Sequence, residues 1–132
     1  MKKIVIIGAG SAIFSLNLIK DLCLCDNLRD SAITLMDVNE ARLGAITGLC
    51  RRYAEETGHP LRIEQTTDRK QALNGADFVI NVALDYGHTR LREGWEIACR
   101  NGYRFGGSLH VVHDEAFWVN WHQLLLMESS LL

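Results

Sequence analysis

The feature that most constrains the fold is the join at residues 3–11, where Lys3-Ile4-Val5-Ile6-Ile7 runs into Gly8-Ala9-Gly10-Ser11. The first segment is a short, continuous apolar run rich in β-branched residues. Such a run fits a strand covered on both faces, as in a parallel sheet. A helical pattern follows, with Phe14, Leu18 and Leu22 on one inner face and Ser15, Lys20 and Asp21 elsewhere. A buried strand that turns through glycine into a helix gathers free backbone N–H groups and the positive end of the helix dipole at one point. That point suits an anion.

The alternation of strand and helix continues along the chain. A turn around Asp26-Asn27 leads to a second strand, Ala32-Ile33-Thr34-Leu35-Met36, which stops at Asp37. The next helix spans about Asn39 to Glu56, with Leu43, Ile46, Leu49, Cys50 and Tyr53 inward and Arg51, Arg52, Glu55 and Glu56 toward water. Gly58-His59-Pro60 ends it, because glycine suits the position after a helix and proline cannot continue one. Leu61 to Thr66 alternates apolar and polar residues, as an edge strand does. A short helix near Asp68 to Leu73 precedes a fourth strand, Phe78-Val79-Ile80-Asn81-Val82, which also reads as buried. A helix from Thr89 to Arg100 follows, closed by Gly102, and a last helix starts at Asp114.

This order predicts an α/β fold: a Rossmann-like, doubly wound parallel sheet with right-handed crossovers and strand order 3-2-1-4. A complete sheet of this kind has further strands beyond the fourth. Residues 1–132 therefore read as one partial nucleotide-binding domain, a piece of a larger protein or a truncated one.

Composition narrows the function classes. The chain of 132 residues is 48% hydrophobic and 23% charged, and its net charge of -2 gives no electrostatic case for nucleic acid or an anionic membrane. The amino terminus is too short and too glycine-broken for a signal peptide, and no run approaches a membrane span, so a cytoplasmic protein is expected. Cys23, Cys25, Cys50 and Cys99 match no zinc spacing and read as buried, reduced thiols.

The residues that carry chemistry cluster at strand ends. Gly8 permits a tight turn, Gly10 lets backbone approach a pyrophosphate, and Ser11 opens the helix whose amides would hold it. Asp37 ends the second strand, where a carboxylate accepts hydrogen bonds from the adenosine ribose and disfavours a 2′-phosphate, selecting NAD over NADP. The plain alternative is that the glycines serve an ordinary turn and Asp37 caps the next helix. Ile13 stands where the full fingerprint has its third glycine. Asn81 closes the fourth strand beside the switch point; it is either a cofactor contact or a polar group satisfying a strand end. His88 reads as a loop histidine. His110, His113 and Asp114 could share a helix face and hold a metal, but Gly106-Gly107-Ser108 is a poor helix start. Asp114 is either a proton donor to a leaving group or the cap of the last helix. Phe117, Trp118 and Trp121 read as core or interface.

With these residues in view, the chain resembles the amino-terminal part of glycoside hydrolase family 4, most closely its α-glucosidase and α-glucuronidase branch. The likeness rests on Ile6-Ile7-Gly8-Ala9-Gly10-Ser11-Ala12 with Phe14-Ser15, Thr34-Leu35-Met36-Asp37, Ala76-Asp77-Phe78-Val79-Ile80-Asn81, Gly87-His88-Thr89 and Asn120 to Leu124. The resemblance implies a glycosidase that needs NAD and a divalent metal, usually Mn²⁺. In such an enzyme C3 of the sugar is oxidised, C2 is deprotonated, the glycosidic oxygen is eliminated and water adds back, unlike the common two-carboxylate route. It implies that Gly8, Gly10, Ser11, Asp37 and Asn81 bind the cofactor and that Asp114 meets the substrate at the scissile bond. It also implies a small-molecule glycoside substrate, a homo-oligomer, and metal ligands beyond Leu132. The absent DTxGPGG-like loop argues against an α-galactosidase. An ordinary NAD-dependent dehydrogenase and a non-catalytic nucleotide-binding module share this fold and stay open.

Overall fold

A computed structural model describes residues 1–28, 30–59, 61–83, 92, 96–97 and 99–102. The chain divides into two compact units, Met1–Ala83 and Leu84–Leu132. The first contains a strand β1 (Lys3–Ile7), helix α1 (Ala12–Leu24), a 3-10 turn (Asp26–Leu28), β2 (Ala32–Met36), α2 (Glu40–Glu56), β3 (Arg62–Thr66), α3 (Arg69–Leu73) and β4 (Phe78–Asn81).

The four strands form one sheet in the order β3-β2-β1-β4, and every pairing is parallel. The expected topology is therefore the observed one. Its register brings Ile7, Met36 and Asn81 side by side at the carboxyl ends of β1, β2 and β4. β1 is central, and Ile4, Val5, Ile6 and Ile7 are all buried, as the unbroken β-branched run demands. Ile4, Ile6, Ile33, Leu35 and Ile63 face α1 and α2 and pack with Ile19, Leu22, Leu43 and Cys50. Val5, Ile7 and Met36 face the other way, with Ala72 of α3. Each large aliphatic side chain buried here stabilises the fold by about 1.5–3 kcal/mol.

Local chemistry sets the helix ends. Asn39 caps α2, its side chain accepting from the Arg42 amide at 3.0 Å, and Asp68 caps α3 in the same way at 3.1 Å from the Gln71 amide. At the far end of α2, Gly58 (φ 71°) donates to Glu55 and His59 donates to Ala54. That pair of bonds is the Schellman arrangement, made possible by a glycine in the left-handed region. In the second unit Gly102 (φ 81°) follows helical residues 99–100 and donates to the Cys99 carbonyl, as expected of a residue just past a helix.

Three expectations about burial are corrected. Phe14 is 62% exposed, and α1 instead buries Ser15, Ile19, Leu22 and Cys23. The helix lies so close to the end of β1 that the Ser15 hydroxyl donates to the Ala9 carbonyl at 2.8 Å, and only a small side chain fits there. In α2, Leu49 is 46% exposed while Thr47 and Ala54 are buried, which turns the inner face slightly from the one the leucines suggest. β4 is not a buried strand among the described residues: Phe78 and Val79, on opposite faces, are 54% and 49% exposed. The strand pairs with β1 on one side only, and the described helices cover β1 and β2 instead.

Candidate functional site

The site is the crest of the sheet, where β1, β2 and β4 end together. Gly8 leaves β1 with φ 84°, and its N–H and that of Ala9 both donate to the Met36 carbonyl at 2.9 Å. The chain leaving β4 crosses directly behind: a Cβ on Gly8 would lie 2.8 Å from the Val82 carbonyl carbon and overlap the Ala83 backbone. Glycine is required here twice over, by its dihedral and by the space.

Gly10 is required for a different reason. Its amide donates to Asp37 Oδ2 at 2.8 Å, and a Cβ would stand 2.7 Å from that same oxygen. The other carboxylate oxygen, Oδ1, accepts from the Asn39 amide at 2.9 Å. Asp37 thus does not cap α2, because Asn39 does; the alternative in which Asp37 is only a helix cap is set aside. Each carboxylate oxygen keeps a second acceptor direction.

Ser11 precedes α1 in an extended conformation, and its side chain makes no capping bond. The first bond that enters the helix from outside is Ser15 N–H to the Ser11 carbonyl, at 3.0 Å. The first-turn amides of Ala12, Ile13 and Phe14 are therefore the orphan donors of the helix, and no acidic side chain in that turn competes for them. Among the described residues these amides and the Ser11 hydroxyl lie together at the amino-terminal end of α1. Ile13, at the place of the missing third glycine, is 76% exposed, so its side chain meets no strand. The close-packing position has moved to Ser15, a signal that spacing alone does not reveal.

Asn81 lies in register with Ile7, next to Gly8, and its Oδ1 accepts from the Ala83 amide at 3.1 Å. That bond fixes the turn out of β4 and leaves the carboxamide NH₂ without an acceptor among the described residues. Gly8, Gly10, Ser11, Asp37 and Asn81 are thus gathered at one end of one sheet. Asp114, His88, His110, His113, Phe117, Trp118 and Trp121 lie outside the described residues. Among the described residues no three His, Cys, Asp or Glu side chains converge to hold a metal ion.

Of the four thiols expected to be buried, Cys99 is exposed and Cys25 is half-buried. Cys23 and Cys50 are buried in the core shared by α1 and α2. Burial, and then the neighbouring Cys23 thiol, push Cys50 up to about 11. Burial also raises Cys23, opposed by a hydrogen bond with Thr57.

The model of the family 4 glycosyl hydrolases matches residues 3–108. The chain belongs to glycosyl hydrolase family 4. Among the relatives of this family 4 chain, an α-galactosidase of Rhizobium meliloti (strain 1021) is 40% identical over 79 residues, 60% of this chain and 16% of the relative. An α-glucosidase of Erwinia rhapontici is 35% identical over 85 residues, 64% of this chain and 18% of the relative. The chain therefore spans less than a fifth of either relative. A crystal structure of a 6-phospho-α-glucosidase from gut microorganisms, in complex with NAD and Mn²⁺, superposes with a TM-score of 0.65 at 22% identity. It covers 76% of this chain and 23% of the other. At that identity the likeness concerns the fold, which is the Rossmann-like parallel sheet expected. Galactosidase and glucosidase names occur together among the relatives, so these matches do not separate the branches of the family.

Proposed function

We propose that this chain is the cofactor-binding portion of an NAD- and divalent-metal-dependent glycosidase. The observation that carries the reading is the crest itself. A glycine fixed by its backbone at Gly8 and a second at Gly10, against the Asp37 carboxylate, lead into α1. The first-turn amides of that helix have no partner among the described residues, and the carboxylate follows the second strand beside them. A dinucleotide fits this arrangement: the amides of Ala12, Ile13 and Phe14 and the Ser11 hydroxyl hold the pyrophosphate, and Asp37 takes the ribose hydroxyls. Asn81 offers its carboxamide to the nicotinamide half. The charge on Asp37 disfavours a 2′-phosphate, so NAD is the cofactor rather than NADP.

In the whole enzyme, NAD held by Gly8, Gly10, Ser11, Asp37 and Asn81 would supply reversible hydride transfer at C3 of the sugar. The residues of this chain bind and orient that cofactor. Asp114 is proposed, from its place in the family pattern, to meet the substrate and give a proton to the leaving oxygen. The Mn²⁺ ligands are proposed to lie beyond residue 132. The substrate is an α-glycoside, and the whole protein is expected to be a cytoplasmic homo-oligomer. Among the described residues no helix is long and apolar enough to cross a membrane.

The reading is tested by titrating NAD and NADP into the isotope-labelled chain and following the amide resonances. NAD is expected to shift Gly8, Gly10, Ser11, Ala12 and Asp37, and NADP to shift them at least tenfold more weakly. Equal responses, or shifts confined to other residues, would refute the assignment of the site.

A further inference from the structure

We propose that Asp37 is a positioning residue for the phosphate loop, and that it acts before any cofactor arrives. Gly8 and Ala9 donate to the Met36 carbonyl, and Gly10 donates to the Asp37 carboxylate. Three consecutive amides of the turn are thus tied to the last residue of β2 and the one after it. Ser11 then closes the turn on the Gly8 carbonyl at 3.2 Å. The Gly10–Asp37 bond spans 27 positions in sequence and is partly buried, and among these amide bonds it is the one accepted by a side chain.

The carboxylate is held in turn. Its Oδ1 accepts from the Asn39 amide at 2.9 Å, and the Asn39 side chain caps α2. A continuous line of hydrogen bonds therefore links the turn after β1 to the start of α2. Gly10 is a glycine because this carboxylate stands where its Cβ would be. Removing the carboxylate leaves the Gly10 N–H without this partner, and the link from the turn to the end of β2 then runs through Met36.

A consequence concerns specificity, and it rests on the cofactor reading above. Replacing Asp37 with a small neutral residue removes the charge that opposes a 2′-phosphate. By the present geometry it also frees the loop that holds the pyrophosphate common to both dinucleotides. Such a change lowers affinity for NAD and NADP together and does not exchange one for the other.

The test compares wild type, Asp37→Ala and Asp37→Asn, first without ligand. Hydrogen exchange of the Gly10 amide, read by nuclear magnetic resonance, is expected to be at least tenfold faster in D37A. In D37N, which keeps an acceptor oxygen, it is expected to return most of the way to wild type. The core amides of Val5 and Ile33 should be unchanged in both. Inorganic pyrophosphate, which has no ribose, is then titrated. Positioning requires binding several-fold weaker in D37A, whereas a role confined to the ribose leaves it equal, or tighter because a negative charge is gone. Unchanged Gly10 exchange in D37A would overturn the proposal, as would undiminished pyrophosphate binding. If D37A does not fold, D37N decides: Gly10 exchange as fast as in an unstructured peptide would equally overturn it. A wild-type chain that protects Gly10 through Asp37 yet ignores NAD would refute the cofactor reading and leave this one standing.

Discussion

Substituting Gly8 and Gly10 with alanine, one at a time, separates the two demands that the loop places on its glycines. At Gly8 the φ of 84° lies in the left-handed region, where a Cβ costs about 1–2 kcal/mol. The new methyl would also sit 2.8 Å from the Val82 carbonyl carbon and overlap the Ala83 backbone, so one of two chain segments must move. Forcing extra volume into a packed site costs about 1–3 kcal/mol. The sum, about 2–5 kcal/mol, is a large part of the roughly 5–15 kcal/mol that keeps a domain folded. At Gly10 the new methyl meets only a side chain, and the Asp37 carboxylate can swing into water. What is lost is one charge-assisted hydrogen bond at a partly exposed position, about 1.5 kcal/mol. At about 4–8 °C per kcal/mol for a small domain, Gly8→Ala is expected to lower the melting temperature by about 10 °C or more, and Gly10→Ala by clearly less. Thermal unfolding followed by circular dichroism gives both values. A Gly8→Ala chain that melts within about 2 °C of wild type, or below which Gly10→Ala melts, would refute the reasoning.

Further expectations follow from the same geometry. Ser15→Ala removes the buried bond to the Ala9 carbonyl and should destabilise by about 1 kcal/mol, measured by denaturant unfolding; a larger residue such as valine should cost more by displacing α1. Asn39→Ala removes the cap of α2 and should cost about 1 kcal/mol, with Asn39→Asp restoring most of it. The raised Cys50 thiol gives a sign for alkaline pH. Between the ordinary thiol value near about 8.5 and the folded value, the unfolded chain sheds a proton that the folded chain keeps. Stability present below that window is therefore lost as pH rises toward about 11, and Cys50→Ala should flatten the slope. In the native chain a thiol-modifying reagent should reach exposed Cys99 well before buried Cys23 and Cys50.

How much of this was legible in the sequence follows from which interactions are local. β1 was readable because an unbroken run of β-branched residues needs cover on both faces, β2 because its short run ends at an acid, and strand order follows from parallel crossovers. The end of α2 was readable because Gly58 acts on adjacent backbone. The glycine turn and the acid after β2 were readable as a spacing, but their contact was not. The bond from Gly10 to Asp37 depends on how closely two strand ends approach, which no periodicity encodes. The same blindness placed Phe14 inside. Apolarity nominated it, while the tight seat of α1 on Ala9 selected Ser15. For α2 the leucine at 49 outweighed the smaller Thr47 and Ala54, which fit closer to the sheet. The apolar run of β4 reads as buried, although only Ile80 of the strand packs against the core of α1 and α2 while Phe78 and Val79 stay half exposed.

The central claim is that this crest serves a glycosidase whose bond cleavage passes through a redox step. The direct measurement is hydrolysis of an α-glucoside or α-glucuronide by the whole enzyme in D₂O with NAD and Mn²⁺, reading the isotope at C2 of the released sugar together with NADH absorbance. Deuterium at C2, strict dependence on NAD and no net NADH over full turnover are the expected result. Hydrolysis that proceeds without NAD and leaves protium at C2 would contradict it, and steady accumulation of NADH would mark an ordinary dehydrogenase instead.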